Sequence, residues 1–333
     1  MNKHEWIKWQ KNNRHLTAPI LSFPLLKKFN ISAEELVKSA GYQKDILTFV
    51  AKNYPISAVI GLMDLSVEAE AFGSVVEFYS DDVPSIKHPI IKSLEDIEIL
   101  KIPSVTNNRT QTYVDGIALL KKEITDKPVI AGSIGPFSLA GRLMDVTEVL
   151  MNCYLNEELV ILTLEKMTDF VIQYIQAFKK AGADGIIISE PVAGLLSPDL
   201  CAKFSTSYIK KIKDAVCDDN FIFMYHNCAN ITNHIDTLID IGADIYHFGE
   251  AVELEEMLKK MPKSSLVMGN ISPSQVLADK EVSFVKEKTK ELLKKCNQFP
   301  NFVISTGCDL SPKTKLENID AYFQSIIDYY NKK

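Results

Sequence analysis

FKKAGADGIIISEP (178–191) and LIDIGADIYHFGE (238–250) follow one pattern: the end of a helical segment, then Gly-Ala-Asp, then a short apolar run closed by polar residues. The glycine supplies the left-handed conformation that stops a helix. The run after it is apolar on both faces, as a strand covered by helices must be. Two copies of this device signal consecutive βα units. Working outward, the segment Asn156–Lys180 carries Val160, Leu164, Met167, Val171, Tyr174 and Phe178 at alternating spacings of four and three, which predicts one long amphipathic helix. Similar apolar runs fall at Ala18–Phe23, Ala58–Leu62, Val129–Ser133, Gly185–Ser189, Phe221–Tyr225, Ile245–Phe248, Leu266–Gly269 and Phe302–Ser305. Eight strands alternating with helices predict an α/β fold, a single (β/α)8 TIM-type barrel over 1–333 with an N-terminal extension. The stretch 72–127, punctuated by Pro84, Pro89 and Pro103, is long for one crossover. It is expected to be an insertion covering the barrel mouth or an oligomer surface, such as that of a homodimer.

The totals agree with one large barrel. At 333 residues and 46% hydrophobic content the chain can bury a sizeable core. A formal net charge of −6 with no basic patch argues against a nucleic-acid partner. The opening MNKHEWIKWQKNNRH (1–15) is polar and lacks an apolar signal core, and no run approaches a membrane span. Six cysteines spread thinly through the chain are cytosolic thiol usage, so a cytoplasmic location is expected.

The reactive residues collect where the strands end. His226 and Cys228 follow the run ending at Tyr225, Glu250 follows the one ending at Phe248, Glu190 the one ending at Ser189, and Cys308 the one ending at Ser305. The C-terminal ends of the strands are the face on which barrel enzymes build their sites. Thiolate sulfur and imidazole nitrogen are the donors zinc prefers, and His-x-Cys in a short loop lets two ligands reach one ion while Cys308 closes the set. Taken singly, each of the three reads as well as a core cysteine or a hydrogen-bonded loop histidine; together at strand ends they point to a metal. Glu250 is either a weak, exchangeable fourth ligand or a solvated carboxylate at a helix start. Glu190, before Pro191, either moves a proton or orders the loop. His247 lies inside a strand and is expected to be packed and hydrogen-bonded rather than a ligand. Cys153, Cys201, Cys217 and Cys296 fall in helical patterns and are expected to be plain thiols. The glycines of GSIGPFSLAGR (132–142) suit a tight turn, with an anion at a helix N-terminus as the alternative.

MDLSVEAEAFG (63–73), GSIGPFSLAGRL (132–143), YHNCAN (225–230), MGNISPSQVL (268–277) and STGCDLSPKTKLENIDAY (305–322) resemble the uroporphyrinogen decarboxylase superfamily. They are most similar to its corrinoid-dependent methyltransferase branch, which includes methylcobamide:coenzyme M methyltransferases. The resemblance spans the chain in order. It implies a barrel with zinc on His226, Cys228 and Cys308, and a distant likeness to cobalamin-independent methionine synthase puts Glu250 in the place of a fourth ligand. That likeness also places an acidic residue before proline, as in Glu190-Pro191, on the methyl donor's side of the site. True decarboxylases carry an arginine-rich N-terminal segment and an aspartate instead of zinc. Here HLTAPILSFPLLKKF (15–29) has no arginine, so uroporphyrinogen decarboxylation is not expected.

The implied activity is zinc-dependent methyl transfer between methylcobalamin, or another corrinoid carried by a partner protein, and a small acceptor, most simply a thiol such as coenzyme M. Three alternatives stay open on the sequence. One is a tetrahydrofolate-linked or first-step transfer in a demethylase system. Another is methionine-synthase-like transfer from a folate to homocysteine. The last, of a different class, is a non-catalytic corrinoid- or metal-binding protein.

Overall fold

Seven parallel strands stand side by side in chain order in the computed structural model, which describes residues 2–331. They are β1 (Val59–Ile60), β4 (Val129–Ile134), β5 (Gly185–Ser189), β6 (Ile222–Asn227), β7 (Ile245–Phe248), β8 (Leu266–Ile271) and β9 (Phe302–Thr306). Between the first two, β2 (Val76–Glu77) and β3 (Ser85–Ile86) form a separate antiparallel hairpin. The helices lie between strands, as a barrel of βα units requires.

The eighth position differs from the sequence expectation. Ala18–Phe23 is not a ladder strand; the segment's one bridge is Thr17 parallel to Ile56. Pro19 has no N–H to give a ladder, and Pro24 turns the chain at once into the short helix Phe23–Leu25. The segment still closes the barrel, because its neighbours bond it by other means. Ser57 N donates to Thr17 O at 2.8 Å, the Thr17 hydroxyl donates to Ile304 O, and the Ser305 hydroxyl donates to Ala18 O at 3.1 Å. Residues 17–26 are buried throughout.

Strand periodicity sorts the core into two shells. Ile60, Ile130, Ile187, Met224, Ile245, Met268 and Val303 point inward and meet Ala18 and Ile20 in the barrel interior. Trp6 and Ile7 of the helix Lys3–Asn12 join this inner cluster beside Ile222 and Leu266, so the N-terminal extension plugs the barrel floor. Tyr225, Tyr246 and Phe248 face outward into the larger cluster shared with the helices. The long helix runs Glu157–Lys180 with the Asn156 side chain capping its start, and its six expected apolar residues are all buried. Gly182 (φ +99°) and Gly242 (φ +64°) take the positive φ that the two Gly-Ala-Asp copies call for.

The expected insertion at 72–127 is shorter than its pattern suggested. Asn108–Glu123 is a helix of the barrel ring, packed on the helix Ala40–Asn53. Only the stretch before it is extra. There Asp82, Val83, Pro84 and Ile86, in and beside the hairpin, line a cavity with residues that follow β1 and β9, which places the hairpin over the barrel mouth. Among the described residues no helix is long and apolar enough to cross a membrane.

Candidate metal centre

The inward row of β6 runs Ile222, Met224, His226, so the histidine tops a column of apolar side chains. It lies within the strand, which continues two residues past the predicted end at Tyr225. Cys228 comes next inward, just beyond the strand. On β9 the inward row is Val303 and Ser305, and Cys308 follows in the loop. Pairing in register does the rest: His226 is level with His247 on β7, and Asn270 on β8 is level with Ser305.

The structure brings His226, Cys228 and Cys308 together, with one donor atom from each lying within 4.8 Å of the others. Cys308 Sγ is 3.6 Å from His226 Nε2. Zinc–sulfur and zinc–nitrogen bonds at tetrahedral angles set their ligand atoms about 3.6 Å apart, so the donor set and its spacing fit zinc. His226 is buried, and both cysteines are half-buried at the mouth. The Cys228 thiol is pulled well below its ordinary range, first by its hydrogen bond with Cys308 and then by His226, against burial. Cys308 is pushed up by the same contact with Cys228 and by burial. The pair thus gives up its first proton readily, as metal-ligating thiols must.

His247 is packed as the sequence suggested. It is fully buried, its Nδ1 lies 2.8 Å from His226 Nδ1, and its Nε2 lies 3.1 Å from Ser305 Oγ. Glu250 is not brought to the three. It is exposed, and its carboxylate accepts from Ser274 Oγ at 3.3 Å.

Glu190 is buried completely beneath the loop that follows β4. Its two oxygens each accept a backbone N–H, from Phe137 and Ser138 at 2.8 Å, at the start of the helix Pro136–Met144. A Cβ on Gly135 would stand 2.5 Å from the Glu190 carboxyl carbon, so the glycine is needed for that approach. The group that GSIGPFSLAGR holds is therefore the protein's own carboxyl. Burial raises this carboxyl to about 7, opposed by its hydrogen bonds with Ser138, Phe137 and Ser205.

Several polar residues around the mouth carried no assignment in the sequence. A cavity of about 290 Å³ adjoins the cluster, lined by Met63, Asp64, Ser66, Arg142, Asp309 and Leu310 with the hairpin as its outer wall. Asp64 accepts from Arg109 and from Ser66, at 2.6 Å from the serine hydroxyl, and Arg109 also pairs with Glu70. Glu68 accepts from Ser133 Oγ at 2.9 Å and Ile134 N at 3.1 Å, and burial raises it to about 7. Burial likewise raises Asp309, next to Cys308, to about 8. Among the described residues Arg142 makes no ion pair or hydrogen bond; it is exposed and lines the cavity. MDLSVEAEAFG contained part of this set, but acidic residues on a helical pattern give no sign of which are buried. Arg109 and Arg142 lie on helices, where a basic residue ordinarily means a solvated face.

Comparison with known proteins places these features in a family. The chain is similar to the methylcobamide:CoM methyltransferase of Methanosarcina acetivorans, 26% identical over 303 residues that cover 89% of this chain and 85% of that one. It is similar at nearly the same level to the uroporphyrinogen decarboxylase of Vesicomyosocius okutanii, 25% identical over 275 residues covering 80% and 78%. A solved methyltransferase from Methanosarcina mazei shares the fold, with a TM-score of 0.83 at 24% identity and 94% of each chain covered. The profile of the uroporphyrinogen decarboxylase (URO-D) family matches residues 26–329, nearly the whole barrel, and the chain belongs to that family.

Proposed function

We propose that this protein is a zinc-dependent methyltransferase that moves a methyl group between a corrinoid held by a partner protein and a small thiol. The observation that carries the reading is the convergence of His226, Cys228 and Cys308 at the barrel mouth. Identity alone does not choose between the two activities of the relatives, since the percentages are almost equal. The donor set supports methyl transfer: two thiols and an imidazole suit a metal that activates sulfur. The absence of arginine from residues 15–29 removes the obvious grip for a porphyrinogen's carboxylates.

On this reading residues 1–333 act as one barrel domain, and the three residues would hold the ion. A bound zinc supplies a Lewis acid that lowers the pKa of an acceptor thiol, so that thiolate is present at neutral pH. The acceptor sulfur then attacks the methyl carbon. The S–C bond forms as the Co–C bond breaks, the electron pair stays on cobalt, and the thiol proton leaves to solvent. The cavity beside Cys308 is where the rest of the acceptor sits. Arg142, unpartnered and lining it, suits an acceptor with an acidic tail. Glu250 would reach the fourth position only by leaving Ser274, which fits a ligand that yields to substrate. Glu190 orders the loop at the mouth rather than touching the reacting atoms.

The test is direct. Purified protein should hold close to one zinc per chain, and Cys308→Ala should lose most of it. Methylcobalamin should lose its methyl group in the presence of enzyme and thiol together. Zinc content unchanged by Cys308→Ala would sink the metal assignment. Demethylation that requires a folate, or fails with every thiol, would favour the folate-linked or the non-catalytic alternative.

A further inference from the structure

The unusual feature of this centre is that a second buried histidine stands behind the first. Two imidazole Nδ1 atoms face each other at 2.8 Å, which works only if one bears a proton and the other does not. The surrounding acceptors decide which. His226 Nδ1 also lies 3.2 Å from His247 O, a carbonyl that can only accept. His226 therefore carries its proton on Nδ1. His247 Nδ1 must then accept, which puts the His247 proton on Nε2, 3.1 Å from Ser305 Oγ. Ser305 can accept there because its own proton is directed at Ala18 O, another acceptor-only group, at 3.1 Å. Read in the other direction, a carbonyl of the closing segment orients the serine hydroxyl, and the hydroxyl fixes the tautomer of His247. His247 fixes the tautomer of His226, and the His226 Nε2 lone pair is left bare, 3.6 Å from Cys308 Sγ.

From this chain of contacts we infer that His247 and Ser305 are positioning residues for the metal: they hold His226 in the one tautomer whose Nε2 can bind an ion, and they anchor that choice on the barrel's closing seam at Ala18. The inference rests on the metal-centre reading above, but its core, the tautomer of each ring, is a property of the protein without metal. His247 gains nothing from this arrangement as a packing residue. A phenylalanine would fill a buried interior position without needing polar partners. The alternative tautomer of His226, with the proton on Nε2, would leave its Nδ1 facing a carbonyl lone pair and would have to lose that proton before a metal could bind. Because the anchor is a backbone carbonyl of the segment that replaces the eighth strand, barrel closure and ligand geometry share one hydrogen-bond network.

The experiment uses full-length protein labelled with 15N-histidine, freed of metal by a chelator and kept at neutral pH. Two-bond 15N–1H correlation spectra report each ring's tautomer, with assignments from His226→Gln and His247→Gln. The expected result is His226 protonated on Nδ1 and His247 on Nε2. Zinc affinity, measured by competition with a chromophoric chelator, should fall about ten- to a hundredfold in Ser305→Ala and His247→Phe. Ser305→Thr, which keeps the hydroxyl, should retain most of it. Far-UV circular dichroism matching that of the wild type separates lost affinity from lost fold. A wild-type protein with His226 protonated on Nε2 would overturn the inference, as would Ser305→Ala and His247→Phe variants that bind zinc as tightly as wild type. If the tautomers are as stated and no variant or wild type binds zinc, the metal reading fails instead, and with it the assigned purpose of the relay.

Discussion

Two carboxyls inside this protein are raised to about 7 by burial, Glu190 and Glu68. The sign of the consequence follows from proton counting. Between about 4.5 and 7 the folded state keeps protons that the unfolded chain has released, so stability contributed by these groups falls as pH rises through that window and levels off above it. For Glu190 the full swing is on the order of 3 kcal/mol. Glu190→Gln should lose about 1–3 kcal/mol outright, because the amide nitrogen faces a backbone N–H it cannot accept from. It should also show a flatter fall between pH 5.5 and 7.5 than wild type, read from urea midpoints at each pH. Equal slopes would show that the carboxyl stays ionised in the fold. Arg142 gives a second prediction at this scale. Arg142→Met should raise KM for a thiol with a carboxylate or sulfonate tail about ten- to a hundredfold, the value of one charge-assisted contact, and leave KM for an uncharged thiol unchanged. Steady-state kinetics with the two thiols decide it. The three candidate ligands could be read from the sequence because strand ends are predictable and thiol-imidazole sets are rare. The direction of the Glu250 side chain and the place of Arg142 at the mouth could not, because which way a loop or helix side chain turns depends on neighbours distant in sequence.

At the level of elements, all seven ladder strands stand on the apolar runs, and Gly185–Ser189 and Ile245–Phe248 match them to the residue. Those two could be read to the residue because Gly-Ala-Asp marks their starts and both their faces are buried. The run at 18–23 is equally apolar, and its burial is equally complete, yet it forms no ladder. Burial depends on hydrophobicity alone, whereas a ladder also needs donors, and Pro19 withholds one. The helix Asn108–Glu123 was hidden inside an apparent insertion for a related reason: its polar face and the prolines before it outweigh a short apolar stripe. The closing segment has a testable weakness. Thr17 bonds Ile304 O through its hydroxyl and lies 3.3 Å from Tyr322 OH. Thr17→Val keeps the shape and removes the bond, leaving a buried carbonyl short of a donor, so it should destabilise the barrel by about 1–3 kcal/mol. Urea unfolding measures the loss, and hydrogen exchange should quicken first at β9 and at 56–60. A change below a few tenths of a kcal/mol would mean that packing alone closes the seam.

Across the whole molecule the candidate ligands come from βα units that are far apart in sequence, with His226 on β6, Cys228 just beyond it and Cys308 beyond β9. An ion that holds all three ties the mouth of the barrel across β7 and β8, whereas the floor is already closed by Trp6 and Ile7. Zinc binding should therefore stabilise the folded chain and do so mostly at the mouth. Free zinc at a hundred times its dissociation constant adds about 2.7 kcal/mol to a protein that binds it only when folded. For a chain of this size that corresponds to a rise in Tm of about 4 °C. Calorimetry of the chelated and zinc-loaded protein should show that rise, and Cys308→Ala should abolish it. Hydrogen exchange adds the location: protection should increase at 226–230 and 305–310 and stay constant in the helix Lys3–Asn12. A rise that survives Cys308→Ala would place the stabilising ion elsewhere. Protection spread evenly over the barrel would mean that the mouth does not loosen ahead of the rest, and that the ion acts on a structure closed equally at both ends.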